Sequence, residues 1–160
     1  MGGSAAWIGA GIVVAAAVLI GLAWKPMRAR GRAREVSHAI KQFRLHREML
    51  EAKFFDMASA LGKPRGLRWL ECNWHSGVTF GRDRQTGLIT AFAAVNISFE
   101  AIEGGDMEGV AAVDTVRDAA ALFHYQAGRW GTGGRALFNM NPEDALKRMV
   151  DQFEPIAEHV

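Results

Sequence analysis

A single cysteine, Cys72, occurs in the 160 residues of this chain. No intramolecular disulfide can form, and a small domain held together without one suits a reducing compartment. The same scarcity weighs against a structural zinc. Cys72-Asn-Trp-His75 has the spacing of half a site, but no second Cys/His pair completes four ligands, and His124 and His159 stand alone in sequence. Charge is missing altogether from Ala5 to Trp24, AAWIGAGIVVAAAVLIGLAW. That run also lacks histidine, so it offers no side-chain ligand for a haem iron or a chlorophyll metal and no proton-relay group, which argues against an electron-carrying or transporting role. Internal repeats and low-complexity linkers are absent as well, which leaves no sign of a second folded domain.

The uncharged run is the most informative feature present. Twenty helical residues rise about 30 Å, the thickness of a bilayer's hydrocarbon core. Trp7 and Trp24 stand near its ends, where indole rings favour the membrane boundary, and Lys25, Arg28, Arg30, Arg32 and Arg34 follow without one acid between them. The pattern predicts a single-pass anchor over residues 1–24, a basic juxtamembrane collar over 25–34 and a cytoplasmic domain over 35–160, with the N-terminus outside. A cleaved secretory signal fits poorly, because Met1 to Ser4 carries no side-chain charge and the run ends in Trp24-Lys25-Pro26 rather than at a small-x-small site. Ala6/Ala10, Gly11/Ala15 and Ala17/Gly21 lie four apart, which would let a second helix approach closely. Gly11, Ala15, Ala17 and Gly21 are therefore candidate helix-packing positions, although an alanine-rich segment generates such pairs by chance.

The formal charge of +2 conceals an asymmetry, since 5 of the 19 basic residues lie in the collar and all 17 acids lie beyond it. A mildly acidic domain lacks the electrostatic footprint of a nucleic-acid binder. The collar suits anionic lipid headgroups, at ~1 kcal/mol per cation near the surface, or serves as a topology signal and nothing more.

Beyond the collar, Val36, Ile40, Phe43, Leu50, Phe54, Met57 and Leu61 recur in steps of four and three, with Arg47 at the one position that breaks the seam. This predicts a long amphipathic helix over 35–61, stopped by Gly62 and Pro64 and packed on the protein's own sheet, with a coiled coil between copies as the rival. Period-two patterning then predicts short strands over Leu67–Trp74 and Val78–Asp83 joined through His75-Ser76-Gly77, a turn at Arg84–Gly87, and a strand over Leu88–Ala101. One face of that strand is wholly apolar; the other grows polar from Phe92 toward Asn96, Ser98 and Glu100. After an acidic glycine loop at 103–109, the stretch 110–118 is ambiguous. A hairpin around Ala127-Gly128 joins Ala119–Gln126 to Arg129–Asn139, with Gly131, Gly133 and Gly134 interrupting the second strand. Asn141-Pro142-Glu143-Asp144 starts a last helix that carries Ala145, Met149, Val150 and Phe153 on one side and ends before Pro155. The expected class is α+β, with an antiparallel sheet of about five strands between the two helices.

None of the candidate chemical motifs is strong. A Cys72/His75 nucleophile pair is thin, Gly131-Thr-Gly-Gly134 lacks the strand and helix of a phosphate cradle, and Glu103, Asp106 and Glu108 do not follow a calcium-loop pattern. Trp69, Trp74 and Trp130 on or beside strands read as core or rim packing. No catalytic residue, metal or cofactor is expected. Gly62–Trp69, Phe99–Gly105 and Gly134–Asn139 resemble segments of an uncharacterised family of small membrane-anchored bacterial proteins, over roughly residues 46 to 145. The resemblance implies one domain from the long helix onward and brings no activity with it. The expectation is a non-enzymatic accessory or scaffold subunit of a bacterial inner-membrane complex, such as a respiratory or photosynthetic one. Its partners would be membrane lipid and an integral membrane protein, not nucleic acid, with homo-oligomerisation left open. A membrane-tethered ligand-binding sensor is the alternative, and an enzyme the third reading. A deep polar cavity would favour the latter two; a filled core and a large apolar outer patch would favour the first.

Overall fold

The computed structural model describes residues 30–61, 66–110 and 115–157, in two compact units, Met1–His38 and Ala39–Val160. Of the first unit, residues 30–38 are helical, and Arg30, Arg32 and Arg34 are exposed. The anchor, Trp7, Trp24, Lys25, Arg28 and the packing positions Gly11, Ala15, Ala17 and Gly21 lie outside the described residues. Among those described, no helix is long and apolar enough to cross a membrane.

The second unit opens with helical residues 39–45, followed by α1 (Arg47–Leu61), β1 (Leu67–Asp83), β2 (Ile89–Ala101), β3 (Arg117–Gln126), β4 (Arg129–Gly131), β5 (Ala136–Phe138), α2 (Pro142–Arg148) and β6 (Phe153–Ile156). This is the expected α+β class, built on one antiparallel six-stranded sheet in the order β4-β3-β2-β1-β6, with β5 also pairing β3. β4 and β5 meet opposite ends of β3, so they are two pieces of one returning strand, parted where Gly131, Gly133 and Gly134 predicted an interruption.

β2 lies at the centre and behaves as its pattern requires. Ile89, Ala91, Ala93, Val95, Ile97 and Phe99 are buried on one face, while the opposite face passes from buried Thr90 and Phe92 to half-exposed Asn96, Ser98 and Glu100. The wholly apolar face receives the helical stretch 39–61. Alanines at 91, 93, 119 and 121 keep the middle of the sheet low, and large rings fill the space above them. Phe43 stacks edge-on against Phe80, Phe123 and Trp130 at centroid distances of 5.7, 5.4 and 5.0 Å; Phe54 does the same against Trp69 and Trp74 at 6.3 and 5.4 Å. The Trp130 indole N–H donates to the Ala39 carbonyl at 2.7 Å, so its one polar atom is satisfied inside an apolar layer. On the other face, α2 and β6 cover the Phe92 end of the sheet, where Ala120, Leu122, Ala145, Leu146 and Phe153 form a second cluster.

Local signals explain the corners. Asp83 accepts from the Gln85 and Thr86 amides, both at 2.8 Å, and Gly87 takes φ +73° to close the β1–β2 turn. Those amides hold the Asp83 carboxyl below its ordinary range. Ala127 and Gly128, at φ 50° and 78°, make the β3–β4 turn that matches the strand twist. Asn141 caps α2, accepting from the Asp144 amide at 2.8 Å, with Pro142 next to it.

Four expectations need correction. The long helix is divided at His46, although the bonds from the His46 N–H to the Gln42 carbonyl and from the Leu50 N–H to the His46 carbonyl, both 3.0 Å, continue across it. The buried stripe ends on Ala58 rather than Met57 and Leu61, and Leu61 is 71 % exposed, because the chain at Gly134 comes close to the helix backbone there. The two strands expected around His75-Ser76-Gly77 are one strand, since Trp74 pairs Val95 and Val78 pairs Ala93, leaving two extra residues as a bulge opposite Ala94. Finally, the last helix stops at Arg148, and Phe153–Ile156 is a strand on β1, bringing the strand count to six. Pro155 is tolerated because β6 is an edge.

Candidate functional site

Arg47, read from sequence as a flaw in the helix seam, makes hydrogen bonds within α1 and across the helix–sheet interface. Its Nε donates to Glu51 Oε1 at 2.6 Å, its Nη1 to the Ser76 carbonyl at 3.3 Å, and its Nη2 to the His75 carbonyl. The bulge turns those carbonyls out of the ladder, and the guanidinium satisfies them. Arg47 thus fastens α1 to the middle of β1. The role is structural, and a contact 28 or 29 residues away in sequence gave no local signal.

Besides a small cleft of about 110 Å³ beside Phe43, Arg47, Ser76 and Phe80, two larger ones open among the described residues. The larger, about 550 Å³, lies between the start of β3 and the α2 cap and includes Arg117, Asp118, Asn139 and Asp144. Some of its polar groups bond one another. The Asn139 amide, at φ 57°, donates to the Asp118 carbonyl at 2.7 Å, and Asn141 and Asp144 exchange hydrogen bonds at 2.8 and 2.9 Å. The smaller, about 310 Å³, lies between α1 and β1 beside Phe55, Cys72 and Trp74.

Cys72 is half-buried in that second cleft, and desolvation, reinforced by the Glu71 carboxylate, pushes its thiol up to about 12. A thiol held so high is protonated at neutral pH and is a poor nucleophile or metal ligand. Alkylation of Cys72 in the folded protein at pH 7 is expected to run at least about 100-fold slower than for a free cysteine, and to accelerate continuously with pH beyond 9. Fast, selective labelling at pH 7 would contradict that environment.

The other sequence candidates are absorbed by the fold. Among the described residues, no group of three or more His, Cys, Asp or Glu side chains could hold a metal ion. Gly134, at φ +69°, packs its backbone onto Met57 and Ala58 of α1, and its amide donates to Thr132 Oγ1 at 3.0 Å, so the glycine loop serves a close helix–strand approach. Glu108 Oε2 accepts from the Gly104 amide at 2.9 Å and closes the acidic loop on itself. His124 is half-buried beside Thr90 Oγ1 at 3.1 Å; burial and then Arg135 hold it below the ordinary histidine range. Trp69, Trp74 and Trp130 belong to the aromatic layer.

By its fold the second unit belongs to the α+β class, an antiparallel sheet with helices on both faces. No protein-family model, no curated protein and no solved structure matches the chain.

Proposed function

We propose that the chain is a non-enzymatic accessory subunit of a bacterial inner-membrane complex, held by a single membrane helix over Ala5–Trp24, with its C-terminal domain in the cytoplasm against a partner. The observation that carries this reading is the filled interior. The middle of the space between the 39–61 stretch and the sheet, where a sensor or enzyme of this shape would enclose its ligand, is occupied by interlocked rings, Phe43, Phe54, Trp69, Trp74, Phe80, Phe123 and Trp130, and clefts of about 310 and 110 Å³ lie beside them. The uncharged run followed by the basic collar supports the membrane half of the proposal.

The test is an exchange of Ala5–Trp24 for an unrelated single-pass helix of equal length, beside the single substitution Gly21→Leu. Both preserve hydropathy, while the bulky side chain blocks close approach of another helix. Co-purification of the membrane partner after gentle extraction is expected to fall by about tenfold in each. Full recovery from both would remove the anchor from the docking surface and leave it a tether.

A further inference from the structure

We propose that the open edge of β1 docks an extended, cationic segment of a protein partner, which adds to the sheet beside Glu71–Trp74 and lays its side chains in the cleft against α1. This deepens the accessory-subunit reading and rests on it: it names the face of the domain that makes the contact and the chemistry the face accepts.

The first observation is the pairing. β6 covers β1 only from Phe80 to Asp83, so among the described residues the stretch 67–79 has a strand neighbour on its β2 side alone. An unpaired edge offers a row of backbone donors and acceptors to an incoming chain. Here two bulges, between Trp69 and Glu71 and between Trp74 and Val78, bracket a regular run in which Glu71 to Trp74 pair Ser98 to Val95. Bulges discourage open-ended sheet extension, so this edge admits a short peptide rather than another whole sheet.

The second observation is the cleft beside that run, about 310 Å³ between strand and helix. Its floor is apolar, with Ala52 and Phe55 from α1 and Leu70 and Trp74 from β1, and Leu70 is 53 % exposed at the bulge. A groove between an edge strand and a helix is a recurring site of strand addition, in which main-chain hydrogen bonds supply affinity and alternate side chains enter the groove.

Charge selects the occupant. Glu51 and Asp56 bring their carboxylates to the α1 side of the cleft and no lysine or arginine lines it, while Glu71, paired with Ser98, lies on the other face of the same run, where alternate side chains of an added strand would meet it. Glu51 is committed to Arg47, whereas Asp56 and Glu71 are exposed. A second copy of this chain would bring the same carboxylates against themselves, and anionic lipid would be repelled. A segment alternating cationic and apolar residues complements both rim and floor.

The probe is a labelled peptide of alternating valine and arginine, titrated by fluorescence anisotropy into the full-length chain in a neutral detergent. Saturable binding is expected, weakened about tenfold or more by the double reversal Asp56→Lys and Glu71→Lys, and by glutamate in place of arginine in the peptide. Two further peptides are N-methylated on one or the other alternate set of amides. A strand that pairs on one side uses one set only, so one methylated peptide is expected to fail and the other to bind. Equal binding by both, equal binding by the reversed chain, or no saturation up to about 1 mM would overturn the proposal. Should the reversed chain not fold, the methylated pair still decides. Retention of the native membrane partner by a folded, reversed chain that has lost the peptide would also overturn it while leaving the accessory reading in place. Peptide binding without any membrane partner for the wild-type chain would keep the edge site and remove the accessory role.

Discussion

Phe54→Ala is expected to lower the stability of the domain by about 3–5 kcal/mol, the range for removing a fully enclosed phenylalanine ring. The side chain has no solvent exposure and stands among Trp69, Trp74 and Phe123 at centroid distances of 6.3, 5.4 and 5.9 Å. All three neighbours are rigid rings on strands whose register is fixed by the sheet, so they cannot collapse into the gap as a methionine would. The residual cavity adds to the lost transfer energy. Thermal unfolding of the variant should shift downward by roughly 10–20 °C. An unchanged melting temperature would mean that α1 does not lie on the sheet in solution.

Gly134→Ala should be nearly as costly, and for a different reason. A Cβ at that position would lie 2.5 Å from the Ala58 nitrogen and 2.8 Å from its Cα, both backbone atoms of a helix that has no soft side chain to move. The backbone is also left-handed, at φ +69°, which costs an alanine about 1–2 kcal/mol before any overlap is counted. Overpacking adds about 1–3 kcal/mol. Gly87→Ala provides the internal comparison, because Gly87 has nearly the same φ, +73°, but open space around it. Denaturant unfolding of the pair separates conformational strain from collision, with Gly134→Ala expected to lose about twice as much stability or more. Equal losses would show that α1 and the β4–β5 connection do not touch.

What was legible in the sequence followed from local chemistry. β2 declared itself through a buried alternating face, the Arg84–Gly87 turn through its glycine, the β3–β4 hairpin through Ala127-Gly128, and the start of α2 through Asn141 and Pro142, whereas the Asp83 side chain that closes the first turn went unread. The errors arose where a distant partner decided the outcome. His75-Ser76-Gly77 carries turn chemistry, yet Arg47 holds its carbonyls and β2 continues past it, making a bulge. Phe153 sits at helical spacing from Met149, but the free side of β1 at Phe80–Asp83 recruits it into a strand. Ala58 displaces Met57 and Leu61 from the buried stripe where Gly134, far along the chain, comes close to the helix backbone. The β1 edge and its cleft were invisible for the same reason. They exist only once β6 has stopped short of them and α1 has been laid alongside.

The proposal that this domain works by contact rather than by chemistry, beside a membrane, is tested most directly by the native mass of the chain after gentle detergent extraction of cells that produce it. The expected result is a discrete assembly well above the 17.5 kDa of the chain plus its micelle, containing an integral membrane protein at fixed stoichiometry. Elution of the whole population as a lone chain, at native concentrations and under several mild detergents, would contradict it.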